Sequence, residues 1–385
     1  MDLRDTQEEA AFRAGLRAWL EANLPEERRG GRGGAQRFDD AFGREWSRKL
    51  HEAGYAGLTW PKEYGGAGAP YSFQAIFYEE MARAQAPAHV GVIGLGMAGP
   101  TIMAHGTEKQ KQAHLSKILS AEEIWCQGFS EPGAGSDLAA ARTSAERRDD
   151  VYVVNGQKVW SSFAHIADFC ILVTLSDPKA PRYQGLTYLI VDMHAPGVEV
   201  RPLRQITGEA EFNEIFFNDV EVPVSNRLGE ENEGWQVAMT TLLHERGTLG
   251  FALTAGLEVG VNKLVEVARQ RADGDAGARE RVAAEWIELQ ALRYTNYRSL
   301  STYQRTGIPG PEGSVSKLQW SEANQRLTKL ALEVLGPEAQ LWNGNGGGYW
   351  QYQQLRSRGN TIEAGTSEVL RNIVAERVLG LPRSR

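Results

Sequence analysis

Apolar residues in the first third of the chain recur at helical spacing. Ala11, Phe12, Leu16, Trp19 and Leu20 run toward Pro25, behind Thr6 as a cap and Glu9 as its capping-box partner. The same period predicts a helix from Phe42 to Leu50 and further helices over 72–85, 90–105 and 108–119. Residues 26–37 are rich in Arg and Gly and read as a loop. The period changes near residue 122. Val151–Val154, Phe169–Val173, Leu186–Val191 and Glu214–Phe217 are short β-branched or aromatic runs separated by Asn-Gly, Pro-Gly and Asp-Pro, which predicts a compact β domain. Helical spacing returns over 235–270, 278–305, 314–335 and 366–379.

The chain therefore reads as mainly α with a central β domain: an N-terminal helical domain over 1–121, a middle β domain over 122–232, and a C-terminal helical bundle over 233–385. A parallel α/β sheet would alternate strand and helix throughout. Gly91, Gly94 and Gly96 follow a helix rather than a strand, so they predict close helix packing and not a phosphate loop.

Composition narrows the function classes. The 385 residues suit two or three packed units, with 42% hydrophobic and 24% charged residues. A net charge of −7 gives no global basic field, and charges of both signs nearly balance in the C-terminal domain, which argues against nucleic acid. Cys126 and Cys170 stand alone in apolar runs and read as buried, reduced thiols, with no metal spacing, so a cytoplasmic setting is expected. The polar start lacks a signal-peptide pattern, and no apolar stretch has the length of a membrane span.

Four motifs in order carry a resemblance. Gly128-Phe129-Ser130-Glu131-Pro132-Gly133-Ala134-Gly135-Ser136-Asp137 resembles the signature of acyl-CoA dehydrogenases. Asn155 to Ser162 is similar to that family's second flavin segment, Phe217 to Pro223 with Leu228-Gly229-Glu230 to its exit from the β domain, and Ala364 to Arg371 to its last motif. The resemblance implies a middle β-barrel or sandwich, a C-terminal four-helix bundle, FAD as cofactor and an acyl-CoA substrate. It places Gln127, Phe129, Ser130, Gly135, Trp160, Ser161 and Ser162 at the flavin, with Trp160 against the ring and Ser162 near N5. Gly365, Thr366 and Glu368 match positions that reach FAD from the last helix, and Ser136 resembles a residue on the coenzyme A arm. Arg271 resembles the arginine that contacts the FAD diphosphate of a neighbouring subunit, although Ala272-Asp273-Gly274 follows it where the family carries an aromatic residue. Taken singly, Ser130 also reads as a turn hydroxyl, Trp160 as a core aromatic, Thr366 as a helix cap and Arg271 as a solvated helix-end residue.

Most of the family carry the catalytic glutamate directly before the final Gly-Thr; here that residue is Ala364. Its main-chain N–H resembles the group that holds the thioester carbonyl. The isovaleryl-type branch shares the alanine and places its base at the position of Glu245, next to Arg246, which is expected beside the thioester or the base. Glu245 is the expected general base, with Glu363 the alternative. The resemblance implies α,β-dehydrogenation in a homotetramer or homodimer, with an electron-transfer flavoprotein as acceptor. Two other readings stay open: a flavin oxidase or monooxygenase, and a partner subunit of a hetero-oligomer.

Overall fold

The computed structural model describes residues 4–28, 39–272, 274–306, 310–311, 313–342 and 348–383. The side chains of Glu27 and of residues 245–249 also lie outside the described residues, so Glu245 and Arg246 are placed only by their helical main chain. Most of the Arg- and Gly-rich stretch expected as a loop lies outside them too, and Glu26–Arg28 forms a 3-10 turn. No described helix is long and apolar enough to cross a membrane, and no group of metal ligands occurs among the described residues.

Ten α-helices and seven strands are described: α1 (Gln7–Asn23), α2 (Asp40–Glu52), α3 (Tyr71–Arg83), α4 (Gly99–His105), α5 (Glu108–Ser120), β1 (Trp125–Gly128), β2 (Ser144–Arg148), β3 (Val151–Ser162), β4 (Phe169–Leu175), β5 (Leu186–Asp192), β6 (Val198–Leu203), β7 (Phe212–Pro223), α6 (Gly234–Arg271), α7 (Ala276–Thr306), α8 (Gly313–Leu335), α9 (Tyr349–Ser357) and α10 (Ser367–Ile373). The expected helix over 90–105 is a π-turn at Gly94–Ala98 running into α4, and the expected last helix is α10 followed by a π-turn at Val374–Val378. The chain separates into two compact units. One comprises residues 38–68 and 88–245, the other 1–37, 69–87 and 246–385.

In the first unit the strands form one sheet in the order β1-β4-β2-β3-β7-β6, with β5 on β4. β4 and β5 are buried on both faces, which suits their unbroken apolar sequence. The period of two divides them: Ile171, Val173, Tyr188 and Ile190 join a core with Trp60, Ile102, Ile118 and Trp125, while Cys170, Leu172, Leu189 and Val191 join a second core with Tyr152, Ile215 and Phe217. Each large apolar side chain buried this way contributes roughly 1.5–3 kcal/mol. Of the three glycines read as helix packing, Gly94 lies against Ile118 and Gly91 against His89, while a Cβ on Gly96 would meet nothing within 4 Å. Cys126 and Cys170 sit opposite each other in the parallel β1–β4 pair, buried and free.

In the second unit Leu257, Val261, Leu264 and Ala268 form an i, i+4, i+7, i+11 stripe on α6. They share a core with Leu289 and Leu292 of α7, Leu327 and Leu330 of α8, and Trp350 of α9. Arg13 of α1 reaches α3, donating 2.8 Å to Glu79 and 2.7 Å to Glu80.

Candidate functional site

In the sheet unit, β1 ends at Gly128, where a Cβ would come within 2.7 Å of Leu172 Cδ1 and 3.0 Å of Cys170 Sγ. A side chain there would have to push the buried Leu172 out of its place. A tight turn follows, in which the Glu131 N–H donates 2.9 Å to the Ala134 carbonyl and the Ala134 N–H returns 3.0 Å to Glu131. The Val159 N–H of β3 donates 2.9 Å to the Ser130 carbonyl, so the first two motifs are tied through main chain.

Lys158 fastens them further. Its ammonium is fully buried and donates 3.0 Å to the Phe129 carbonyl and 2.8 Å to the Glu131 carboxylate. That carboxylate also accepts from the N–H groups of Arg142 and Thr143, at 2.7 and 2.8 Å. Burial works against the Glu131 charge, but the Lys158 ammonium and these donors outweigh it and hold the carboxyl below its ordinary value. Sequence reasoning singled out neither side chain. The signal was a Lys inside an otherwise alternating strand, which is rarely buried without a partner.

The register of β3 on β7 slips between Lys158–Ile215 and Ser161–Asn213, leaving one extra residue on β3. This bulge holds Trp160 at φ 62°, with its ring 60% exposed and edge-on to Phe212 at 6.0 Å. Trp160 is thus not a core aromatic. A bulky residue in left-handed backbone with its ring in the open is costly unless something flat covers it. The neighbouring Ser161 is buried and its hydroxyl has no partner among the described residues. Cβ atoms built on Gly133 and Gly135 would meet nothing within 4 Å. The bulge, the orphaned hydroxyl and the free space at the glycines fit a flat cofactor with hydrogen-bonding edges. Gln127 and Ser130 are partly buried beside this segment, Ser162 is partly buried at the end of β3, and Ser136 is exposed. The Phe129 ring is in the core, edge-on to Tyr188 at 5.8 Å, so any contact of this residue with a ligand falls to its main chain.

In the helical unit, the turn before α10 holds two successive left-handed residues, Ala364 at φ 50° and Gly365 at φ 95°. The N–H groups of Ala364, Gly365 and Thr366 have no partner among the described residues. Successive free N–H groups in such a turn form a cradle for an oxyanion or carbonyl oxygen. Thr366 caps α10 by accepting from the Val369 N–H at 3.2 Å, and Glu368 is exposed in its first turn. The Glu368 carboxyl is held below its ordinary value by its own N–H and by the Thr366 hydroxyl. Glu363 is already committed: Arg356 donates to both its oxygens, at 3.2 and 2.8 Å, and Asn360 donates to it at 2.8 Å. Arg271 makes a two-pronged ion pair with Glu338, both contacts at 2.6 Å.

Glu245 and Arg246 lie on α6, their side chains outside the described residues. Burial pushes the pKa of the preceding His244 down, so that ring is neutral at pH 7 and adds no positive charge to this turn.

Three family models match the chain in order: acyl-CoA dehydrogenase N-terminal domain over residues 6–122, middle domain over 126–220 and C-terminal domain over 232–379. The chain is 43% identical over 389 residues to the acyl-CoA dehydrogenase IpdE1 of Mycobacterium tuberculosis, covering 99% of each. It superimposes on the Tcur3481-Tcur3483 steroid ACAD with a TM-score of 0.89 at 33% identity, covering 100% of both chains. The ChsE4-ChsE5 complex from Mycobacterium tuberculosis gives a TM-score of 0.87 at 32% identity, again covering 100% of both.

Proposed function

This chain belongs to the acyl-CoA dehydrogenase family, and from that premise we propose that it oxidises an acyl-CoA thioester between Cα and Cβ, with Glu245 as the general base. It is a flavin-dependent oxidoreductase, and FAD is the cofactor of its family. When bound, FAD supplies the hydride acceptor. In this reading Glu245 takes the Cα proton as the hydride leaves Cβ. The N–H of Ala364 binds the thioester carbonyl, which makes that proton acidic by stabilising enolate charge. Trp160, Ser161, Ser162, Ser130 and Gln127 hold and orient the flavin, Thr366 and Glu368 serve it from α10, and Ser136 and Arg246 serve the thioester.

One observation carries the assignment of the base. The residue before Gly365-Thr366 is an alanine, and both oxygens of the adjacent acid Glu363 are engaged by Arg356, one of them also by Asn360. A carboxylate gripped at both oxygens by an arginine must break those hydrogen bonds before it can reach another group. The base must then come from another element, and α6 carries Glu245 where one branch of the family keeps it. Glu245→Gln, prepared together with any partner chain, tests this: the variant should keep yellow, bound FAD and lose flavin bleaching by acyl-CoA. Bleaching at near wild-type rate would defeat the assignment.

A second observation bears on partner and substrate. Two solved structures that this chain resembles are each named for two chains, and one is described as a steroid ACAD. We therefore propose that this chain pairs with a second, related chain on a steroid-derived thioester, passing electrons to an electron-transfer flavoprotein. The exposed Trp286, Ile287 and Tyr294 of α7 supply apolar surface for such pairing. Arg271, if it reaches FAD of a neighbouring chain, must first leave Glu338. The flavin-to-chain ratio of the protein expressed alone decides: a stable, colourless product supports the two-chain assembly, and one FAD per chain in a homotetramer defeats it.

A further inference from the structure

Beside the apolar face that carries Leu327 and Leu330, α8 buries a second face that is polar. Lys317, Ser321, Asn324, Gln325 and Thr328 follow the helical period on one side, and Lys317, Ser321 and Thr328 are buried. Buried polar groups are tolerated only when hydrogen-bonded; Ser321 bonds the Lys317 carbonyl of its own helix, Thr328 bonds α9, and Lys317, Asn324 and Gln325 reach the irregular stretch that carries Ala364. Gln325 donates 2.9 Å to the Ser357 carbonyl and 3.2 Å to the Thr361 hydroxyl. Asn324 donates 2.8 Å to the Asn360 side-chain oxygen, and Thr328 donates 2.7 Å to Gln354. Lys317 is 5% exposed, and its ammonium donates 2.8 Å to the Asn360 carbonyl and 2.8 Å to the Gly365 carbonyl.

Those two carbonyls are the ends of the six-residue turn 360–365. Between them the main chain holds Ala364 and Gly365 in left-handed conformations, and for Ala364 that region is unfavourable on its own. Such a conformation persists only where the surroundings determine it. The Ser367 N–H, bonded 2.9 Å to the Thr361 carbonyl, gives one restraint, and the Lys317 ammonium spans the whole turn. Charge-assisted hydrogen bonds are roughly twice as strong as neutral ones.

We infer that Lys317 is the positioning residue for the Ala364–Gly365 turn: it holds the free N–H groups in the geometry that receives the thioester carbonyl. This rests on the proposed role of Ala364. Lys317 acts through the main chain and touches no substrate in this account. Its cation also sits on the Gly365 carbonyl, polarising the peptide group whose N–H belongs to Thr366.

The test compares wild type, Lys317→Met and Lys317→Arg as FAD-loaded full-length protein, with any partner chain present. Hydrogen exchange of the amides in 360–366 reads the clamp without substrate. It should quicken by about tenfold in Lys317→Met and stay near wild type in Lys317→Arg. The second readout is 3-thiaoctanoyl-CoA, whose Cα loses a proton to the enzyme base without oxidation and whose enolate gives a long-wavelength band beside flavin. The pH at which half the band forms should rise by about one unit in Lys317→Met, a roughly tenfold weaker acid, and return in Lys317→Arg. Faster exchange with an unmoved midpoint overturns the positioning role, as does unchanged exchange. A wild-type protein that binds the analogue by calorimetry but forms no band, while exchange still quickens in Lys317→Met, defeats the thioester reading of Ala364 and leaves the clamp standing. The two failures are thereby told apart.

Discussion

The ammonium of Lys158 is fully buried and lies 2.8 Å from the carboxylate of Glu131, whose side chain is 9% exposed. The pair joins the strand that presents Trp160 to the turn that presents Ser130. Burial pushes the Lys158 pKa down and Glu131 opposes it, so each charge depends on the other.

Lys158→Met should therefore leave a buried carboxylate without its counter-charge. Breaking such a pair from one side costs about 3–5 kcal/mol. Chemical denaturation should show that loss, together with weaker FAD retention. The double variant Lys158→Met/Glu131→Gln should recover part of the stability, and a double variant no better than the single one would refute the pairing argument.

Trp160→Ala should separate cofactor binding from folding. The ring is mostly exposed, so the change in unfolding free energy should stay within about 0.5 kcal/mol. FAD affinity, read by flavin fluorescence on dilution, should drop by about tenfold, the equivalent of one lost stacking surface. An unchanged affinity would remove Trp160 from the flavin site.

Glu363→Gln should preserve turnover within a few-fold, since Arg356 and Asn360 already occupy that carboxylate. Its ion pair with Arg356 is partly exposed, so the stability loss should be about 1 kcal/mol or less. A loss of bleaching like that expected for Glu245→Gln would move the base to Glu363.

His89 gives the pH dependence. Burial pushes its pKa from 6.5 to about 4, and its Nδ1 accepts from the Gly91 N–H at 2.9 Å. Above pH 6.5 both folded and unfolded states keep the ring neutral, and it contributes no pH dependence. As pH falls from 6.5 toward 4, only the unfolded state takes up the proton. Stability should then decline by roughly 3 kcal/mol from this one group. Melting temperature against pH should show a shallower fall in His89→Asn than in wild type over that window, even if the variant is weaker at neutral pH. Parallel curves would exclude His89 as the cause.

Much of the fold was legible because its elements have clean periods. The long helices α6, α7 and α8 and the doubly buried strands β4 and β5 differ sharply in spacing. Elements whose faces are polar were not legible. β2 is Ser-Ala-Glu-Arg-Arg, and β6 is only half covered, so neither carries an apolar run. α9 follows a glycine-rich stretch, and its short sequence of Gln and aromatic residues gives little periodicity. The two π-turns look like ordinary helix in sequence, because a single extra residue per turn does not erase the apolar spacing.

The sequence by itself determined the helix–sheet–helix order, the four motifs, and the replacement of a carboxylate by Ala364. These are matters of residue identity and short-range period, which survive without coordinates. Only the tertiary structure decided that Trp160 stands out on a bulge, that the Phe129 ring belongs to the core, that Glu363 is spoken for by Arg356, and that Lys158 and Lys317 are buried cations bound to main chain. Each of those depends on which distant groups meet, and a lysine's burial is set by the partners that fold against it rather than by its neighbours in the chain.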